Sequence, residues 1–352
     1  MKLGEMMKTF FMRAVAIALC VITVFGLVAL FLRRKDEAGS GLTTQVANSN
    51  RSKIKPDTVM ITMNESYSVT ADTYFYHALG LRNEYAYQYG EEIFDYYPEL
   101  VIDILDEVDS ILIDNAAYML WGSEVGFELS EEDLLAFEEQ VEDLKDYLIE
   151  SGTTFAKHLK ENNLNDQLFR DVYLTNMYVN KFLTEYIFAE MPNLEVSDEA
   201  LEVYMTENSV IAAKHILVTD ESGLEYDDQL KLAEEILARI DDGEDFEALM
   251  VEFSNDPGLE TNPNGYTFRM GEFIPVFETA TREMNVGSVS DIVESDYGFH
   301  IIMRIEVDYD VVKEWVQEEM MEQTRLEYEM RLDPKTTKAR DDLVLLDMKP
   351  VI

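Results

Sequence analysis

Ala213-Lys214-His215-Ile216-Leu217-Val218 and Tyr297-Gly298-Phe299-His300-Ile301-Ile302 are two short apolar runs, each carrying a histidine near its middle. Their β-branched and aliphatic side chains and their length are those of buried strands. An imidazole in a core strand costs free energy unless it is hydrogen-bonded. His215 and His300 are two of only four histidines in the chain and are 85 residues apart. Taken singly, either ring reads as a satisfied core histidine; taken together they suggest one polar site inside a small sheet. The sequence between them decides.

After the first run comes an acidic loop, Asp220 to Asp228, and then a helix with Leu230, Ala233, Ile236, Leu237 and Ile240 on one face. Asp241-Asp242-Gly243 ends it, with Gly243 as C-cap. Phe246, Leu249, Met250 and Phe253 predict a second, short helix, and Ser254-Asn255-Asp256-Pro257-Gly258 a turn. Tyr266 to Phe268, a short helix from Glu278, a strand near Ile292 and a last strand from His300 to Ile305 complete the order β-α-α-β-α-β-β.

Several motifs stand in that order: Ile240-x-x-Gly243-x-Asp245-Phe246, Phe253-Ser254-x-Asp256, Gly271-x-Phe273-x-Pro275-x-Phe277-Glu278 and Val286-Gly287-x-Val289-Ser290. With the two histidine runs they make residues 212–306 resemble a parvulin-type peptidyl-prolyl isomerase domain. The resemblance implies that His215 and His300 are the paired core histidines and that Asp256 stands where the family has Cys or Asp. It implies that Ser295 is a hydroxyl bonded to this network. Phe273 and Phe277 match the positions of a proline socket. The family's Gly-Gly-x-Leu-Gly loop is here Asn264-Gly265-Tyr266-Thr267-Phe268 and is shorter, so Phe268 or Tyr266 is expected to supply the third wall. The loop after the first strand is acidic, Asp220-Glu221-Ser222-Gly223-Leu224-Glu225, so phosphorylated substrates should be repelled. The activity implied is rotation about X–Pro bonds, with no cofactor and no metal. A holdase that only binds unfolded chains is the alternative.

The rest of the chain sets the context. Of 352 residues, 71 are acidic and 28 basic, giving a formal charge of −43. Such a chain should repel nucleic acid, which needs clustered Lys and Arg. Acidic clusters can hold Ca²⁺ loosely, but there is no Asp-x-Asp-x-Asp-Gly loop, and a solvated surface is the plain reading. The one cysteine, Cys20, leaves the body without disulfides or a thiol nucleophile. Cys20 lies in Ala14–Leu32, 19 residues without a charge. As a helix this stretch spans about 28 Å, close to a hydrocarbon core, and no small-x-small cleavage site follows closely. It reads as an uncleaved signal anchor in the lipid bilayer. Lys2, Lys8 and Arg13 balance Arg33, Arg34 and Lys35, so charge does not orient it. The short n-region-like tail favours a cytoplasmic N-terminus and an extracytoplasmic body.

The expected fold class is α+β: a parvulin domain, with a small antiparallel sheet and surrounding helices, inserted in a mainly α-helical chaperone-like lobe behind one transmembrane helix. The expected parts are a tail at 1–13, the anchor at 14–32, a flexible linker at 33–56, the helical lobe at 57–208, the isomerase domain at 209–307 and a C-terminal helix and tail at 308–352. In the lobe, Val59–Met63 reads as a strand, Ser130 to Asp133 as a capping box and 164–188 as one long amphipathic segment. Tyr74, Tyr76, Tyr85, Tyr87 and Tyr89 read as core packing, with a groove for unfolded peptide as the alternative. The 308–352 tail is expected to pack back on the lobe, with Leu343 to Leu346 ending as a strand. An anchor, a helical lobe, this domain and a further helix resemble in layout the exported foldases of the PrsA and SurA group. That layout implies proline-containing, newly exported polypeptides as partners.

Overall fold

The structure, a computed structural model, describes residues 54–345 apart from 65–66, 91, 163 and 220–224. The expected anchor at 14–32, most of the linker and most of the acidic 220–225 loop lie outside the described residues. Among the described residues no helix is long and apolar enough to cross a membrane. The described strands are β1 (Val59–Met63), β2 (Tyr67–Thr70), β3 (Ile211–Val218), β4 (Tyr266–Phe268), β5 (Val293–Ser295), β6 (Gly298–Ile305) and β7 (Pro334–Thr336). The chain divides into two compact units, one of residues 54–191 and 319–345, the other of 192–318.

The first unit is mostly helical, with a three-stranded antiparallel sheet of order β2-β1-β7. Its core joins both ends of the chain: Met60, Ile61, Tyr74, Ile104, Leu105 and Ala117 pack with Leu332 and Leu343. Arg325 is buried against Asp114, Nη1 to Oδ1 at 2.5 Å. Ser130 and Asp133 form a reciprocal capping box at the start of the Glu131–Glu150 helix, leaving neither N–H unsatisfied. The expected 164–188 segment is not one regular helix. Asp166–Lys181 passes into a π-helical turn, Phe182–Ile187, where Phe182 is packed among Trp121, Phe127, Tyr178 and Tyr186.

Three expectations are corrected here. The described strand near the C-terminus is β7; of the expected Leu343 to Leu346 strand, Leu343 to Leu345 belong to the 3₁₀ turn Asp342–Leu345 and Leu346 lies outside the described residues. A strand beginning with proline is tolerated because β7 is an edge. The linker ends sooner than residue 56, since Ile54 packs on the first core. The unit boundaries lie at 191/192 and 318/319, not at 208/209 and 307/308. Side-chain ties inside the second unit explain the shift. Gln317 donates to the carbonyls of Pro192 and Leu194, and Arg269 bonds Tyr204 and lies 4.5 Å above the Trp315 ring.

The second unit is built on an antiparallel sheet of order β4-β3-β6-β5. β3 and β6 are central and pair from Ala212↔Ile305 to Val218↔Phe299. Both faces of β3 are covered, which is why apolar residues stand at both sets of its alternating positions. On one face Ile216, Val218, Phe299 and Ile301 pack with Ala233, Ile236, Phe246 and Leu249, from the helices Tyr226–Asp241 and Phe246–Phe253. The other face carries Ile211, Ala213 and Ile302 against Phe268 and Phe277, the latter from the Pro275–Glu283 helix. His215 pairs with Ile302 and Leu217 with His300, so both imidazoles lie on this second face as diagonal neighbours. A one-residue slip would turn both to the opposite face.

Candidate active site

The histidines meet. His215 Nδ1 lies 3.1 Å from His300 Nδ1, and the rings are nearly coplanar, 11° apart. His215 is 7% and His300 4% exposed. The outer nitrogens are held from both sides: His215 Nε2 is 3.0 Å from Asp256 Oδ2, and His300 Nε2 is 2.7 Å from Ser295 Oγ. The four polar residues expected from the sequence therefore form one line, Asp256–His215–His300–Ser295.

Local structure aims each of them. Asp256 leaves the short helix Phe246–Phe253 in a turn whose Ser254 Oγ accepts the N–H groups of Leu217 and Asp256, while Asn255 N–H donates to Leu217 O. The turn is thereby stitched to β3 beside His215. Asp256 Oδ1 accepts Gly258 N–H at 3.0 Å and Oδ2 accepts the Tyr266 hydroxyl at 2.6 Å. Ser295 stands opposite Gly298 where β5 turns into β6, and its oxygen accepts Tyr297 N–H. Gly298 has a φ of 125°, and a Cβ there would run into the Val218 carbonyl, so only glycine lets this turn approach β3.

Electrostatics fixes the protons. Burial opposes ionisation of Asp256, but hydrogen bonds from His215, Tyr266 and Gly258 together hold its carboxyl down at about 2. Burial, reinforced by the neighbouring His215, holds His300 down at about 4, against the opposite pull of Asp256. At neutral pH the carboxylate only accepts. A neutral imidazole at His215 then donates through Nε2 and accepts through Nδ1. His300 must donate through Nδ1, leaving its Nε2 to accept the Ser295 hydroxyl. Burial and the bond to Asp256 push the Tyr266 phenol up, so it remains a donor.

The aromatic residues surround this line. Phe277 meets His215 edge-on at 5.1 Å and His300 at 5.8 Å. Phe273 lies 5.3 Å from Phe277, 4.4 Å from Phe268 and 5.4 Å from Tyr266. The structure thus brings all eight sequence-derived residues together, but it gives them different depths. Phe268 and Phe277 are 1% exposed and form the floor, whereas Phe273 and Tyr266 are only partly buried and reach solvent. Tyr266 is both a wall and a donor to Asp256, a bond that its place in the shortened loop did not reveal. Gly265, with a φ of 97° and no room for a Cβ against Ala213 O, starts β4 close enough for that bond.

Glu278 was visible only as the last letter of a motif. It is 5% exposed, and its Oε1 accepts the N–H groups of Gly271 and Phe273 at 2.7 and 2.9 Å. A buried carboxylate is thereby satisfied by the loop it shapes, and the Phe273 ring is held over Phe277.

A family model described as Rotamase: PPIC-type PPIASE domain matches residues 215–306, from the first histidine to just beyond β6. The unit is a parvulin-type domain, and the chain is a peptidyl-prolyl cis/trans isomerase. Foldase protein PrsA of Geobacillus sp. (strain WCH70) is 32% identical over 217 residues, covering 60% of this chain and 69% of that protein. The chain belongs to the PrsA foldase family. Foldase protein PrsA of Halalkalibacterium halodurans is 32% identical over 203 residues, 53% of this chain and 57% of that protein, so the match spans little more than half of this second relative. The crystal structure of PrsA from Bacillus subtilis aligns at 21% identity over 79% of this chain and 92% of that one, with a TM-score of 0.28.

Proposed function

We propose that the chain isomerises X–Pro bonds of unphosphorylated, newly exported polypeptides and so assists their folding outside the cytoplasmic membrane, held there by residues 14–32 with the N-terminus in the cytoplasm. The barrier to X–Pro rotation, ~18–20 kcal/mol, comes from amide conjugation. No covalent bond need break. The site must seat the proline ring and stabilise an amide whose carbonyl and nitrogen have lost conjugation. Phe273 and Tyr266 offer the apolar seat, backed by Phe268 and Phe277. The hydrogen-bonded line supplies a fixed set of dipoles beside it, with Asp256 as the one full charge. Its histidines organise the pocket; proton exchange with substrate is not required.

The observation that carries this reading is the line Asp256–His215–His300–Ser295 lying against the aromatic cluster. Two features support the finer parts. The acidic 220–225 stretch disfavours phosphorylated substrates, and the uncharged 14–32 stretch is of spanning length. The test is proline isomerisation of matched unphosphorylated and phosphorylated peptides, with His300→Ala as control. A faster phosphorylated substrate sinks the substrate reading. Protease digestion of the body on intact cells tests location, and protection of residues 57–352 sinks it.

One observation favours the holdase as a second reading. Phe277 and Phe268 are covered, so the seat is shallow in this conformation. A rate equal to the uncatalysed one, with suppression of client aggregation, would decide for it.

A further inference from the structure

Between Arg82 and Lys145 the chain has no lysine, arginine or histidine and has nineteen Asp and Glu residues. This stretch includes the tip of a helical hairpin in the first unit, where the helices Ala71–Tyr89 and Leu100–Val125 pack together and are linked through the short helix Ile93–Tyr96. The tip is crowded with tyrosine. The Tyr85 and Tyr89 rings are 6.2 Å apart, and Arg82 lies 4.9 Å above Phe94, fastening the link to the first helix. Tyr85, Phe94 and Val101 close the core at this end. The side chains beyond them are open to solvent: Tyr89 is 54%, Tyr96 75% and Tyr97 52% exposed, and Ile102 joins them.

Carboxylates stand near Tyr85, at the base of the tip. The Tyr85 phenol is pushed up first by burial and then in the same sense by Glu107, Asp103 and Glu84. Asp106 and Asp109 are engaged by Arg340 and are not needed for this effect. The Arg82 cation at the tip is buried, and exposed tyrosine faces among acidic residues favour one kind of partner. Ammonium and guanidinium groups stack on phenol rings and are attracted by the carboxylates, while anionic chains are repelled. Exposed apolar side chains need no explanation singly, but Tyr89, Tyr96, Tyr97 and Ile102 are all exposed within one short span of the hairpin.

We propose that this tyrosine-rich, acid-rimmed hairpin tip docks unfolded polypeptide segments rich in lysine and arginine. The proposal rests on the foldase reading for the supposition that unfolded chains are what the surface meets, and it adds which chains are held. Binding at the tip keeps a basic client on the first unit by contacts that do not involve proline.

The test uses the full chain and a labelled, unstructured, proline-free peptide of lysine, serine and phenylalanine, with a second peptide carrying glutamate for lysine. Fluorescence anisotropy should show binding of the lysine peptide that weakens as salt is raised, with the glutamate peptide at least tenfold weaker. The double variant Tyr96→Ser/Tyr97→Ser should weaken the lysine peptide about tenfold, while Tyr309→Ser, an exposed tyrosine of the second unit, should not. Thermal melts establish that both variants fold. Equal affinity for the two peptides, or an undiminished affinity in the double variant, overturns the proposal. Isomerisation of a short Ala-Pro peptide is followed in parallel. Lysine-peptide binding in a chain that fails that assay supports the docking surface while removing the catalytic reading.

Discussion

His215 Nδ1 and His300 Nδ1 face one another at 3.1 Å across β3 and β6, and one proton lies between them. Two protonated nitrogens would repel at that distance, and two bare ones would leave buried acceptors unsatisfied. Which ring holds the proton is decided at the end of the line, by the Asp256 carboxylate. The predictions concerning the site start from this arrangement.

Asp256→Asn should invert the line. Gly258 N–H needs an acceptor where Oδ1 now stands, so the new amide nitrogen takes the Oδ2 position and the Tyr266 hydroxyl rotates to accept its second hydrogen. It donates to His215 Nε2, which moves the His215 proton to Nδ1, makes His300 Nδ1 an acceptor and turns Ser295 into the acceptor of His300 Nε2–H. Nitrogen NMR shifts of the two rings report tautomers directly. Unchanged tautomers in the variant would show that the carboxylate does not fix them. Turnover should fall at least tenfold, since the charge next to the seat is gone.

Acid should destabilise the chain in two windows. His300 and His77 are both held at about 4 by burial, against an ordinary 6.5. Below 6.5 the unfolded chain takes up protons that the native chain refuses. The stability from each neutral histidine is therefore present above 6.5 and is lost between 6.5 and about 4, on the order of 3 kcal/mol apiece. Asp256, held at about 2 against 3.8, adds a loss as pH falls from 3.8 to 2. Because 71 acidic side chains also titrate, the measurement is a difference of melts. His300→Gln should flatten the 4–6.5 slope relative to the native chain; an equal slope contradicts the assignment.

The two phenylalanines of the motif should separate. Phe277 is buried, and Phe277→Ala should cost about 3–5 kcal/mol in a denaturant melt. Phe273 is partly exposed, so Phe273→Ala should lose less stability yet lower kcat/KM about tenfold, mainly through KM. If both variants lose stability alike and Phe273→Ala keeps its KM, the partly exposed ring is not the seat.

In the first unit, Arg325→Ala leaves Asp114 buried beside a lost cation and should destabilise by about 3–5 kcal/mol. Isomerisation of a short peptide, read below the new melting point, should persist. A variant that melts with the native chain would show that the pair is solvated in solution.

Legibility followed local pattern. The apolar face from Leu230 to Ile240, the Ser130 capping box and the histidine strands were readable because each is a short-range pattern whose period or spacing is set by backbone geometry. The strand β7 was not. Pro334-Lys335-Thr336 has no alternation of its own and becomes a strand only because β1 offers a free edge. The tyrosines of the lobe share one composition yet part ways: Tyr74 is fully buried and bonds Asp109, while Tyr89 remains outside. Nothing in a helical repeat alone distinguishes them, because burial depends on which neighbour arrives.

The sequence by itself determined the order of elements around the two histidines and the residue types of the site, since strand composition, turn glycines and the Phe-x-Pro-x-Phe-Glu run are local chemistry. Only the tertiary structure decided that β3 and β6 pair in the register that sets the rings side by side, and that Tyr266 turns to Asp256. It also decided that Phe268 and Phe277 sink into the floor while Phe273 stays at the surface. Register, proton direction and depth are properties of contacts between residues tens of positions apart, and such contacts exist only once the sheet has closed.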